Sequence, residues 1–199
     1  MSGLRERKKV ETRQQLMYVA IRLFADRGFE RVTVEDIAAA ANVSPSTFFR
    51  YFDSKAGAVF GLAGQRIAEL SAAIEGRPER TSVLDVAHDF WISQVHGILA
   101  DPDVFRAQQE LADRHGQIAG ERSRVFDSAR EILANAVRVE SPSRAPIEVE
   151  MLASVAISAV FTALRLWYED GGDLIEIFDD CWRLVERVTS PTKSRGGAT

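Results

Sequence analysis

Residues 33–55 read TVEDIAAAANVSPSTFFRYFDSK, and the fold of the chain turns on them. Thr33 is suited to cap a helix, with Asp36 at the third helical position, a capping box with Asp in the usual Glu place. The short helix that follows ends near Ala41. Asn42 tolerates the left-handed backbone of a tight turn, although Gly would do so at lower cost. Ser44 and Pro45 then supply the N-cap and first residue of a further helix carrying Ser46, Thr47, Phe48, Phe49, Arg50, Tyr51 and Phe52. Two short helices joined by a tight turn form a helix-turn-helix. In such a unit Ile37, Ala38 and Ala41 pack under Val43 and Phe48 and hold the second helix rigidly. Ser44, Ser46 and Thr47 are short polar groups in its first turn, where side chains reach base edges. Arg13 and Lys55 flank it as groups that neutralise phosphate. Lys55, expected as the first residue of a helix capped by Ser54, adds the attraction of a helix N-terminus for anions.

Helical periodicity extends outward in both directions, without period-two alternation or an internal repeat. On the N-terminal side a helix runs from about Thr12 to Arg27, with Leu16, Ala20, Leu23 and Phe24 on one face and Gly28 at a left-handed C-terminal cap. On the other side a fourth helix spans 54–75, followed by the polar joint Arg77-Pro78-Glu79-Arg80. A fifth starts at Ser82, with Asp85 completing a second capping box, and Asp101-Pro102 restarts the chain for a sixth. The seventh carries Val125, Ala129, Ile132 and Leu133; the loop 141–146 leads to an eighth over about 147–168. Gly171-Gly172 ends that helix, and Asp173 with Glu176 caps a ninth. The fold class is therefore all-α, about nine helices: a three-helix N-terminal helix-turn-helix domain over 9–56 and a larger helical domain over 57–189. Helix four links the two, and the Gly/Ser/Lys-rich tail 190–199 is expected to be disordered.

The chain has a net charge of −4, against a surface coated for nucleic acid, but the distribution is uneven. Residues 1–56 hold ten Lys or Arg against seven Asp or Glu, whereas the remainder holds fifteen against twenty-two. A basic front on an acidic body suits local DNA contact. The polar N-terminus predicts no secretory leader, and one cysteine, Cys181, suits a reducing cytoplasm. The uncharged stretch Met151–Leu164 covers about four helical turns, short of the ~20 residues of a membrane span, so no membrane is expected.

From Arg13 to Lys55 the chain closely resembles the N-terminal domain of the TetR (tetracycline repressor-like) family, through Ala20, Phe24, Gly28, Thr33, Ile37, Ala38, Ala41, Val43, Ser44, Phe52 and the Ser54-Lys55 pair. The resemblance covers the first quarter to third of the chain. It implies DNA-facing roles for Thr33, Ser44, Thr47, Tyr51 and Lys55; helix geometry adds Ser46 and Arg50, and Pro45 stands just before Ser46. Two positions depart from the pattern. Asn42 stands where Gly is common. Phe49 stands where a Tyr usually meets the DNA backbone, so it keeps a ring contact and loses a hydrogen bond.

The resemblance further implies a homodimer on a palindromic operator of double-stranded DNA, paired through helices eight and nine. The interface residues would be Ala159, Val160, Leu164, Phe178, Cys181 and Val185. An eighth helix that looks apolar around most of its circumference needs cover on every side. It also implies a small-molecule effector in the helical body, amphiphilic or apolar, with His88, Phe90, Trp91, Phe105, Phe126, Met151 and Trp167 as lining or as simple core. The function implied is a ligand-responsive transcriptional repressor, with no catalytic residues and no cofactor. His88 and His96 lie eight apart near Asp85 and Asp89, without the i, i+4 histidine pair of a metal site, so no metal is expected. A helical enzyme, or a scaffold that binds another protein, remains the alternative, although no nucleophile elbow or phosphate loop is present.

Overall fold

A closely packed turn explains why the helix expected at Lys55 begins later. In the computed structural model, which describes the backbone of residues 2–189 and the side chains of 7–188, residues 54–62 form consecutive tight turns. Val59, Gly61 and Ala63 donate to the carbonyls of Ala56, Ala58 and Phe60 at 3.1, 3.1 and 2.8 Å. A Cβ on Gly61 would lie 3.0 Å from Met17 Cβ and 3.1 Å from Phe52 Cζ, a tight approach that favours glycine. The α-helical ladder starts only at Ala63.

Among the described residues there are nine α-helices and no strand. They are α1 (Ser2–Arg27), α2 (Val34–Ala40), α3 (Pro45–Phe49), α4 (Ala63–Glu75), α5 (Val83–Ala100), α6 (Pro102–Arg114), α7 (Gly116–Glu140), α8 (Pro146–Asp170) and α9 (Leu174–Thr189), with a single 3₁₀ turn at Phe29–Arg31. The expected disordered tail, 190–199, lies outside the described residues. Helix α1 begins ten residues before the expected Thr12. Thr12 does not cap it; its hydroxyl donates to the Lys8 carbonyl at 2.8 Å, a bond made inside a continuing helix. Lys, Arg and Glu are good helix formers, and they extend α1 without an apolar face to signal it.

The caps behave as the side chains demand. Ser82 Oγ accepts from Asp85 N at 3.0 Å, and Asp173 Oδ1 accepts from Ile175 N and Glu176 N at 2.8 and 3.2 Å. Gly28 has positive φ, 83°, but its ψ of 141° takes it out of the left-handed helical region expected for it.

The chain forms two compact units, Met1–Ala72 with His96–Ser128, and Ala73–Val95 with Ala129–Thr199. This division differs from a cut after residue 56. In the first unit one apolar cluster joins Leu16, Phe24, Ile37 and Phe48 to Leu111 of α6 and Ile118 of α7. Gln108 of α6 donates to the Val59 carbonyl at 2.7 Å, so α6 packs with the N-terminal helices. In the second unit α8 and α9 pack as a helical hairpin around Ala153, Ile157, Val160, Trp167, Phe178 and Val185. Helix α8 is long and apolar enough to cross a membrane by length and composition, with a mean hydropathy of 1.8, unlike the shorter stretch judged from the sequence.

Asn42 is the one non-glycine residue with positive φ among the described residues, at 55°. Asn42→Gly is expected to leave stability unchanged or slightly raised, and Asn42→Val to lower it by about 1–2 kcal/mol in urea denaturation.

Candidate nucleic-acid interface

Helix α2 is started by a reciprocal cap. Thr33 Oγ1 accepts from Asp36 N at 3.1 Å, while Thr33 N and Oγ1 donate to Asp36 Oδ2 at 2.9 and 2.8 Å. The backbone bond from Thr33, then its hydroxyl and the charge of Arg27, hold the Asp36 carboxyl below its ordinary 3.8 against a smaller opposing effect of desolvation. The cap is therefore complete at neutral pH, and its contribution is lost only as acid protonates Asp36 below that ordinary value. At the other end Val43 N donates to Ala38 O at 2.9 Å and Asn42 N to Ala39 O at 3.1 Å, a Schellman motif with Asn42 in the left-handed position. Gln15 of α1 donates to Ala41 O at 3.2 Å and satisfies another carbonyl of this end.

Helix α3 is capped by Ser44, whose Oγ accepts from Thr47 N at 3.1 Å and lies 3.0 Å from the hydroxyls of both Ser46 and Thr47. Phe48 is fully buried and points the helix into the core with Ile37 and Ala41. Ser44, Pro45 and Ser46 are exposed and Thr47 is half-buried, so the polar first turn faces outward. Thr33 is exposed as well. The helix is shorter than expected: Arg50, Tyr51 and Phe52 follow in hydrogen-bonded turns. Phe49 is 53% exposed, a large apolar ring left on the surface beside the exposed Arg50. The Arg50 guanidinium lies 5.4 Å from the centre of the half-buried Tyr51 ring.

Two residues expected to neutralise phosphate are engaged inside the unit. Arg13 Nη2 donates to Tyr51 O at 2.7 Å with its guanidinium 5.1 Å from the Phe52 ring. Lys55 is not at a helix N-terminus. Its Nζ donates to Phe29 O and Val32 O at 2.7 and 3.1 Å and sits 4.3 Å from the Phe29 ring. Arg13 thus ties a loop carbonyl to α1, and Lys55 ties two loop carbonyls to the turns before α4. The residues passed over are Arg7, Lys8 and Lys9, which the extended α1 places on helix and exposes. The basic run Arg5–Lys9 was the available signal.

Residues 16–59 match the family described as bacterial regulatory proteins, tetR family. The N-terminal part of the chain is thus similar to the tetR family. A relative of the tetR-type domain is the HTH-type transcriptional regulator TcmR of Streptomyces glaucescens, 45% identical over 76 residues, which are 38% of this chain and 34% of that protein. The chain thus spans about a third of the length of this curated relative. In solved structures the tetR fold extends over nearly the whole chain. A putative TetR-family transcriptional regulator from Syntrophomonas wolfei superposes with a TM-score of 0.67 at 15% identity, covering 90% of this chain and 95% of that one. FadR of Thermus thermophilus, a TetR-family transcriptional repressor in complex with lauroyl-CoA, superposes at 0.58 with 20% identity, covering 94% and 100%.

The residues expected at the dimer interface and pocket are redistributed. Val160, Phe178 and Val185 are 1% exposed and Ala159 and Cys181 9%, so the chain's own packing already covers them; Leu164 is half-buried. Burial also pushes the Cys181 thiol upward in pKa. Helix α8 is not apolar all round: Ser158 and Arg165 are exposed on it. Of the expected pocket residues, His88, Trp91, Met151 and Trp167 belong to the second unit, Phe105 and Phe126 to the first. Met151 is 58% exposed and lines no interior space. His88 packs against Phe178 and Trp182, at ring separations of 5.6 and 5.3 Å.

Lys55→Met should lower stability by about 1–3 kcal/mol, because the carbonyls of Phe29 and Val32 lose their donor. Urea denaturation read beside DNA affinity checks this: unchanged stability with weakened DNA binding would assign Lys55 to phosphate alone.

Proposed function

We propose that the protein is a DNA-binding transcriptional regulator, a repressor that releases its operator when a small molecule binds. The observation that carries this is the outward-facing polar turn Ser44–Thr47 on a helix whose position Phe48 fixes from below. A helix presented this way enters the major groove, its first residues reaching base edges while flanking groups meet phosphates. Ser46 and Thr47 take the base-reading role, and Arg50, Thr33 and the hydroxyl of Tyr51 take backbone contacts. Phe49 contributes its exposed ring. Lys55 retains a third N–H for phosphate beyond the two carbonyls it already serves. Such a function needs no catalytic group and places the protein in the cytoplasm with the DNA.

One recognition helix buries too little surface for useful specificity. A two-fold dimer sets two of them about 34 Å apart on a near-palindromic site. The stripe that remains uncovered on the hairpin supports the pairing: Ile147 and Met151 on α8 are 72% and 58% exposed, and Leu184 and Val188 on α9 are 49% and 64% exposed. For the effector, the second unit offers Trp91, 7% exposed, whose Nε1 has no acceptor among the described residues. A buried donor left unpaired is costly, which favours a ligand that brings an oxygen to an otherwise apolar, aromatic surrounding. The lauroyl-CoA complex of FadR is a precedent for an acyl effector on this fold.

Fluorescence anisotropy with duplexes from the chain's own upstream region tests the central reading. Saturable, sequence-selective binding with a steep salt dependence is expected. Its absence at low salt overturns the reading in favour of a helical enzyme or scaffold. Thr47→Ala should cost about 1–3 kcal/mol on the cognate duplex and little on random DNA. Arg50→Ala should weaken both alike and flatten the salt slope by about one unit. For the dimer, Leu184→Glu with Val188→Glu should give monomers in sedimentation velocity, whereas dimers that persist would place the interface elsewhere. These exposed positions make a cleaner test than the buried Ala159.

A further inference from the structure

Within the first unit, the end of α1 and the end of α6 enclose a cleft of about 320 Å³ that no part of the DNA-binding reading uses. Its apolar lining includes Phe24 and Leu111, and Arg27, Arg31 and Arg114 lie around it with the carboxylates of Asp26 and Glu110. Arg114 is already neutralised by Glu110, at 2.6 Å. The guanidinium groups of Arg27 and Arg31 form no hydrogen bond or ion pair within 4 Å among the described residues. Arg31 folds back over Gly28, its Nη2 3.7 Å from where a Cβ would stand.

We propose that this cleft is a binding site for a small organic anion, a carboxylate on a compact apolar body such as an aromatic ring. Arg27 and Arg31 would hold the carboxylate, and Phe24 with Leu111 would take the ring. The volume sits at the lower end of the ~300–1,000 Å³ of small-molecule sites, which suits a ring and not a long acyl chain. A guanidinium fork matches carboxylate geometry, and a charge-assisted bond is the stronger kind. The lining is mixed, and it is the edges of Phe24 and Leu111 within it that favour this ligand over inorganic phosphate. The site reaches the segment that leads into α2: His115 of the cleft packs on Phe29 at 4.9 Å, and Phe29 is the residue whose ring and carbonyl receive Lys55. This anion site is additional to the effector assigned to the second unit, and it stands whether or not the protein binds DNA.

The test is a ¹⁹F NMR titration of the full chain with 4-fluorobenzoate, beside its neutral isostere 4-fluorobenzamide. Saturable broadening of the benzoate signal is expected, with the amide roughly tenfold weaker or more, the loss of a charge-assisted contact. Arg27→Gln with Arg31→Gln should weaken benzoate by a similar factor, with at most a small drop in melting temperature from the charge that Arg27 lends to Asp36. Arg124→Gln, outside the cleft, should change nothing. Absence of saturable binding at millimolar benzoate, equal binding of the amide, or unchanged affinity in the double variant overturns the proposal.

Discussion

Everything at the candidate nucleic-acid face depends on the burial of one aromatic ring, Phe48. Helix α3 has five residues, far below the ~12–15 at which an isolated helix becomes even marginal in water. Its own hydrogen bonds cannot hold it in place. Phe48, 0% exposed within the cluster that includes Ile37 and Phe52, supplies the fixed point. The Ser44 cap and the left-handed Asn42 then set the direction in which the first turn projects. An aromatic side chain in a core stabilises by several kcal/mol, more than any single polar contact at this face.

A second constraint is the satisfaction of carbonyls. Three short connections, 28–33, 41–44 and 50–62, leave helix ends and loop oxygens inside a small unit, where an unpaired backbone group is costly. Arg13, Gln15 and Lys55 meet this need by donating to Tyr51, Ala41, Phe29 and Val32. Arg13 and Gln15 do so from α1 and Lys55 from the turns after α3, so α1, the end of α2 and the segments flanking α2 and α3 are bound to one another by side chain to backbone bonds as well as by packing.

The helix-turn-helix was legible because its signals are local: a capping box, a residue that tolerates positive φ, a Ser-Pro start and an apolar Phe at the right offset. The same local logic found the caps of α5 and α9. It missed the late start of α4 because the close approach of Gly61 to Met17 is a tertiary contact that no spacing announces. It started α1 at Thr12 because apolar periodicity begins there, whereas the polar residues before it continue the helix on propensity. The apolar faces of α8 and α9 were legible in part, since Val188 and one side of α8 are exposed, and periodicity does not say what buries the rest. Phe178 and Val185 are covered by the same chain, whereas Met151, Leu184 and Val188 stay exposed.

The diversion of Arg13 and Lys55 also changes where the attraction for phosphate must come from. A chain of net charge −4 approaches DNA favourably only if its positive potential is concentrated at the docking face, since exposed charges beyond about 10 Å are screened at ordinary salt. Arg13 is partly withdrawn by its carbonyl and ring contacts, and Lys55 by two carbonyls. The exposed cations that remain nearby are Arg50 at the end of α3 and Arg7, Lys8 and Lys9 on the first turns of α1. The bond from Arg13 to Tyr51 fixes that part of α1 beside the end of α3, so the early start of α1 has an electrostatic consequence. It places Arg7, Lys8 and Lys9 on a continuous helix one to two turns ahead of Arg13, their side chains spread around its circumference.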